Sequence, residues 1–332
     1  SGTSLQKSSK ILEEIEIKKD VATRNQSGEV LQHIAASCPQ FLGGSADLSC
    51  SDNTYLKNHA MIKPGKFSGK NIKFGVREFA MAAIVNGLAL GKVFKAYCGT
   101  FLTFSDYMKK AIRRAAIMKL PVVYQFTHDS VFLGEDGPTH QPIEHLAALR
   151  AIPNLVVLRP ADDQEVIGSW QYALQASQPV ALIFSRQKTP HLAQSCAKKT
   201  QQGAYIIYES QPGDTDILIL STGTEVALSL AVKDRLEELK LRVRVLSMPS
   251  WELFDQQTDT YKKHCLSGHK HCVVIEAQSS FGWHKYAGTH ASLITIDDFG
   301  KSGTEADLRK QLGFNDEAIA KKIQHKISLN LA

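Results

Sequence analysis

The chain has 332 residues, 43% hydrophobic and 22% charged, an ordinary globular balance whose length points to two domains. Its net charge of +6 is mild and scattered, and no RRM, zinc-finger or helix-turn-helix signature accompanies it, which argues against nucleic acid and suits small anions. No apolar run reaches the ~18 residues of a membrane span, and six cysteines without a CxxC pair fit a reducing compartment, expected to be the cytoplasm.

The N-terminus, Ser1-Gly2-Thr3-Ser4, lacks an initiator Met and a charged-then-apolar signal pattern, so residues 1–19 read as a leader on a processed or cut piece. Residues 20–190 then alternate strand-like apolar runs with helical patterns. Strands are expected at Phe41-Leu42, Asn71–Phe74, Val93–Tyr97, Pro121–Thr127, Leu155–Leu158 and Val180–Phe184. Helices are expected over Asp20–Ser37, Glu78–Leu90, Phe104–Met118, Ile143–Ala151 and Asp162–Ala176. Such alternation implies βαβ units and a mostly parallel sheet covered by helices on both faces.

A polar stretch, Gln187–Gly203 with Pro190, reads as the connection, its linker proper at 191–203. A second α/β domain, 204–332, follows. Its strands are expected at Ile217–Leu220, Val243–Leu246, Cys272–Ile275 and Leu293–Ile296. Its helices are expected near Thr224–Lys240, at Glu305–Leu312 and over Asp316–His325, the last capped by Asn315. The fold class is therefore α/β, two consecutive domains each with a mostly parallel sheet flanked by helices.

Ligands of parallel α/β sheets sit outside the carboxyl ends of the strands. Polar clusters are expected at those ends: Gly43–Asp47, Gly75–Glu78, Gly99–Phe101, Thr127–Ser130 and Ser185–Gln187. The fourth runs on into Gly134–Pro142, whose glycines, prolines, carboxylates and His140 suggest either a constrained loop displaying polar groups or a solvated turn. His264–Cys272 is rich in His and Cys but lacks zinc spacing, and Trp170, Trp251 and Trp283 read as packing residues.

Taken together, GGSADL (Gly43–Leu48), GVREFAM (Gly75–Met81), GTFLTFSDY (Gly99–Tyr107), THDS (Thr127–Ser130), GEDGPTHQP (Gly134–Pro142), RPAD (Arg159–Asp162), SRQ (Ser185–Gln187), MPSWELFD (Met248–Asp255) and SSFGWHKY (Ser279–Tyr286) resemble, in order, the transketolase family. The likeness runs from about Asp20 onward. It implies a thiamine-diphosphate pyrimidine-binding fold followed by a transketolase C-terminal fold. The family's N-terminal domain, which binds the diphosphate and Mg²⁺ through Gly-Asp-Gly, has no counterpart here, since Gly213-Asp214 is followed by Thr215.

The resemblance also implies roles. Glu78 matches the carboxylate that hydrogen-bonds the aminopyrimidine and activates the cofactor, although a carboxylate opening a helix also fits a stabilising role. Phe79 stands where the family commonly has His. Phe101, Phe104 and Tyr107, at three-residue spacing, read from the residues as one helical face, and by resemblance as the aromatic pocket for that ring. Arg24, Ser51, His128 and Arg186 match the phosphate-binding set. Asp136 and His140 match contacts to the sugar hydroxyls, with His140 a candidate proton-transfer group. Asp47 matches a position near the cofactor.

The implied activity is transfer of a two-carbon ketol unit from a ketose phosphate to an aldose phosphate, in the pentose phosphate pathway. The implied partners are sugar phosphates and a second subunit or a separate diphosphate-binding domain, so the chain alone is expected to be inactive. Rival readings are 1-deoxyxylulose-5-phosphate synthase, which shares Asp-Gly-Pro-Thr-His; dihydroxyacetone synthase; and a non-catalytic assembly module.

Overall fold

The computed structural model describes residues 9–331. The first eight residues of the expected leader, and Ala332, lie outside the described residues. The first sheet contains β1 (Phe41–Ser45), β2 (Asn71–Lys73), β3 (Lys95–Phe101), β4 (Val123–Thr127), β5 (Val156–Leu158) and β6 (Val180–Phe184). All pair in parallel, in the order β2-β1-β3-β4-β6-β5.

Alternation along these strands divides the core between two faces. Phe41, Tyr97, Val123 and Phe184 meet the helices Thr23–Ser37 and Asp163–Gln175, where Trp170 donates its indole N–H to Ser27 at 2.9 Å. Cys98, Tyr124, Phe126 and Ile183 meet the helices Glu78–Leu90 and Ser105–Met118. With helices on both faces, every strand except the edge strand β2 is buried along its whole length.

The second sheet contains β7 (Tyr205–Glu209), β8 (Thr215–Ser221), β9 (Val243–Ser247), β10 (His269–Ile275) and β11 (Ser292–Ile294), in the order β11-β10-β8-β9-β7. β7 runs antiparallel to β9 and the other pairs are parallel. The helices Glu225–Glu238 and Asp316–Leu331 cover one face, while Trp251, Phe254 and Trp283 fill the other.

Several expectations are corrected. Gly43-Gly44-Ser45 and Gly99-Thr100-Phe101 lie inside β1 and β3, not after them. The glycines of β1 are there for close approach: a Cβ on Gly43 would sit 2.1 Å from the Tyr97 carbonyl, and one on Gly44 1.8 Å from that of Ile72. β10 starts at His269, three residues before the expected Cys272, because its early residues still pair with β8. β11 ends at Ile294 rather than Ile296. Strand β7 and the helices Trp251–Asp255 and Asp259–Leu266 were not expected, yet the helices carry N-cap signals: Ser250 Oγ accepts from Leu253 N at 3.4 Å and Thr258 Oγ1 from Tyr261 N at 3.2 Å. Asn315 caps the last helix as expected, its Oδ1 accepting from Ala318 N at 2.9 Å.

Candidate active site at the mouth of the first sheet

The chain passes from β1 to β2 on one side and returns to β3 on the other, so strand order reverses between β1 and β3, where parallel sheets open a crevice. Thr23, at the start of the first long helix, and Ser185, just after β6, fasten two segments across this edge. Ser185 N donates to Thr23 Oγ1 at 2.7 Å, and Thr23 N donates to Ser185 Oγ at 3.0 Å. The residues that follow, Arg24 and Arg186, are thereby brought to one mouth.

There a cavity of about 450 Å³ is walled by Arg24, Ser51, Phe101, His128, Asp136, His140 and Arg186, with Leu48 and Cys50. Arg24 Nη1 donates to the Ser51 carbonyl at 2.8 Å and to His128 Nε2 at 3.4 Å, while its buried Nε has no partner. Arg186 Nη1 donates to the Leu133 carbonyl at 2.6 Å. Neither guanidinium forms an ion pair among the described residues. Burial and then the charge of Arg186 hold the pKa of Arg24 below its ordinary value. Burial, then Arg24, Arg186 and His140, push that of His128 down to about 3, so its imidazole is neutral near pH 7. His128 also takes a left-handed backbone, φ +61°, which turns its ring onto Phe101 at 3.7 Å between centroids. Two unmatched guanidiniums with an orphan donor and a neutral imidazole make a site for an anion with several oxygens.

The aromatic residues adjoin this cavity. Phe104 stacks on Phe101 at 5.8 Å and on Tyr107 at 6.2 Å, and meets the His140 ring edge-on at 5.4 Å. The single helical face expected for the three is corrected: Phe101 ends β3, Phe104 ends the 3₁₀ turn Leu102–Phe104, and Tyr107 lies in the next helix. They come together because the turn redirects the chain at the sheet edge. Tyr107 is 65% exposed, leaving an open aromatic shelf.

Glu78 and Asp47 are not in the cavity wall. Glu78 opens the helix Glu78–Leu90 only 9% exposed, and its carboxylate has no hydrogen-bond or ion-pair partner among the described residues. A largely buried carboxylate left unmatched fits a missing donor. Asp47, at φ +66°, lines a neighbouring cavity of about 800 Å³ and pairs with Lys73 at 3.9 Å.

Sequence reasoning missed Asp52 beneath this mouth. It accepts from Ser45 Oγ at 2.5 Å and Thr54 Oγ1 at 2.6 Å, and burial raises its pKa to about 6. It also missed a buried ionic cluster joining the two domains. There Arg159 binds Asp129 at 2.7 Å together with Glu225, and Arg150 binds Glu276 at 2.9 Å while stacking on Trp251 at 4.0 Å. Burial alone would lower the pKa of Arg159, but Glu225, Asp129 and Glu276 together raise it. Neither set could be found by spacing, since the partners are far apart in the chain.

A cavity lined by two unmatched guanidiniums thus opens at a switch point of a parallel α/β sheet, beside an aromatic shelf. The family model described as "Transketolase, pyrimidine binding domain" matches residues 19–191, and "Transketolase-like TK C-terminal domain" matches residues 203–315. The chain belongs to the transketolase family, a thiamine-dependent one. It is 44% identical over 309 residues to the transketolase of Halalkalibacterium halodurans, covering 92% of this chain and 46% of that protein. A crystal structure of Pichia stipitis transketolase in complex with sedoheptulose 7-phosphate superposes with TM-score 0.91 at 36% identity, over 96% of this chain and 48% of that one. A chain titled split gene transketolase, inactive beta4 tetramer, shares the fold at TM-score 0.75 and 21% identity, over 93% of this chain and 99% of that one. The chain thus spans about half the length of the curated relatives it matches.

Proposed function

We propose that this chain forms the pyrimidine and sugar-phosphate half of a transketolase site, which moves a two-carbon ketol unit from a ketose phosphate to an aldose phosphate. The observation that carries this reading is the pair Arg24 and Arg186, unmatched by carboxylates, around one cavity with Ser51, His128, Asp136 and His140. The two arginines and His128 would hold the phosphate. Asp136 and His140 would meet the sugar hydroxyls, and His140, whose Nδ1 lies 2.9 Å from Thr139 Oγ1, is the candidate for moving a proton.

Thiamine diphosphate, when bound, supplies the nucleophilic carbon for ketol transfer. Phe101, Phe104 and Tyr107 would hold its aminopyrimidine, and Glu78 would orient that ring and hold a proton at its nitrogen, with Asp47 nearby. Mg²⁺ and the diphosphate would be held by a diphosphate-binding domain outside these 332 residues, which contain no Gly-Asp-Gly. Such a partner, or a second subunit in a dimer, would cover the exposed apolar Val76, Phe79 and Tyr107 beside Glu78 and the shelf. Six free cysteines accord with a reducing, cytoplasmic setting, and ketol transfer between sugar phosphates would place the chain in the pentose phosphate pathway.

The test mixes the chain with a transketolase diphosphate-binding domain, Mg²⁺, thiamine diphosphate, a ketose phosphate and an aldose phosphate. Ketol transfer by the mixture and none by the chain alone is expected; a mixture that never turns over refutes the reading. In the active mixture Glu78→Ala should abolish turnover with the fold intact by circular dichroism, and near-normal rates would remove Glu78 from its role.

A further inference from the structure

The segment displaying Asp136 and His140 leaves the first sheet after Thr127, the end of β4, and runs to Pro142, just ahead of the helix His145–Arg150. Its two ends are closed by a side chain of the second domain. Gln278, 1% exposed and lying just beyond β10, donates from Nε2 to the carbonyl of Asp129 at 2.6 Å and to that of Pro142 at 3.1 Å. Its own backbone is fixed in the second domain, where its carbonyl accepts from Ile296 N at 2.9 Å. Ser279 N donates to the carbonyl of Ile143 at 2.9 Å, continuing the seam.

Two features distinguish Gln278 from a residue that merely packs. Its Oε1 is buried without a partner, so its hydrogen bonds to the loop are made through its donors alone. Its two acceptors lie on either side of the loop neck, so one amide sets the separation of both ends. A second tether, Gln141 Nε2 to the carbonyls of Val131 and Lys301, both at 2.9 Å, binds the loop to itself and again to the second domain. The adjoining Asp129 carboxylate is gripped by Arg159, leaving His128 between a fixed neighbour and the phosphate cavity.

We propose that Gln278 is a positioning residue through which the second domain sets the substrate loop, holding His128, Asp136 and His140 at the spacing a sugar phosphate needs. It is not among the cavity's walls and acts through the loop neck. Small displacements of such positioned groups weaken binding and catalysis strongly. The ligand class rests on the function proposed above; the mechanical coupling does not.

The experiment therefore has two arms. On the chain itself, Gln278→Met keeps the size and removes the donor. Amides of residues 130–142 should then exchange with deuterium about tenfold faster, the equivalent of one lost buried hydrogen bond, while β8 and β9 keep their protection. Unchanged loop exchange, or an equal rise through the whole second domain, overturns the proposal. In the mixture with the diphosphate-binding domain, Gln278→Met should raise KM for a ketose phosphate about tenfold and lower kcat as well, because His140 rides on the same loop. An unaltered KM beside an active wild type overturns the proposal; an inactive wild type instead indicts the function reading and leaves the exchange arm to decide. If the Met variant does not fold, Gln278→Asn, too short to reach both carbonyls, is measured in its place, and wild-type loop exchange in that variant overturns the proposal.

Discussion

Two pairs of arginines in this molecule have opposite surroundings. Arg24 and Arg186 stand at the mouth of the first sheet, one half-buried and one exposed, with carbonyls and a neutral imidazole for neighbours and no carboxylate in an ion pair. Arg150 and Arg159 lie in the seam between domains, with side chains 4% and 0% exposed, facing Asp129, Glu225 and Glu276. The first pair keeps its charge unmatched, as the phosphate role proposed for it requires. The second has its charge outnumbered by fixed carboxylates and so holds two domains in one arrangement. The residue type is the same; matching by fixed countercharge separates a ligand site from a structural clasp.

The sharpest way to break this contrast is Arg159→Met. It strands Asp129 and Glu225 without their cation, and should lower unfolding stability by about 3–5 kcal/mol in urea titrations, the usual effect of halving a buried pair. Adding Asp129→Asn and Glu225→Gln should return part of that loss. A triple variant no more stable than the single one would show that shape, not charge matching, governs the seam.

Arg186→Ala tests the other side. The fold should survive, while affinity for phosphorylated donors falls about tenfold or more, the value of a charge-assisted hydrogen bond to an anion. Unphosphorylated donors should be little affected. Equal losses for both would remove Arg186 from the phosphate set.

A smaller effect probes a seam group that lacks a cation. Glu165 accepts from Tyr205 Oη at 2.7 Å and Ser247 Oγ at 2.5 Å across the domains, and burial, then Asp162, raise its pKa from 4.5 to about 7. Between those values the folded chain binds a proton that the unfolded chain has lost. This contribution to stability is therefore fully present below about pH 4.5 and fades as pH rises through about 7. Glu165→Gln should flatten that part of the stability–pH curve, and an unchanged slope would contradict the assignment. The smallest expected effect is on shape: with His128 held near a pKa of about 3, replacing it by Gln should shift phosphate affinity uniformly and leave its pH profile between about pH 5 and 8 unaltered. A lost titration limb would show that His128 does protonate there.

The first sheet was more legible than the second. Val180–Phe184 and Glu78–Leu90 occur with the bounds that apolar pattern and the first-turn carboxylate indicate. In the second domain β7 escaped notice although Tyr205–Tyr208 is an apolar run, because it follows directly on the polar stretch read as the linker and its antiparallel partner β9 lies far along the chain. The Gly-rich ends of β1 and β3 read as polar clusters after the strands rather than parts of them, since the use of glycine for close interstrand approach shows only when the neighbouring strand is in place.

What the sequence determined by itself was the alternation of elements, the order of nine motifs and the identity of the groups offered to a ligand. Those depend on periodicity, capping and residue chemistry, which act over a few neighbours. Tertiary structure alone decided that Phe101, Phe104 and Tyr107 stack from three different elements, that Arg159 finds Glu225 across the seam, and that Gln278 closes a loop more than a hundred residues earlier in the chain. Side-chain pairing between distant segments depends on how sheets and domains pack, and no local pattern encodes which buried donor will meet which acceptor.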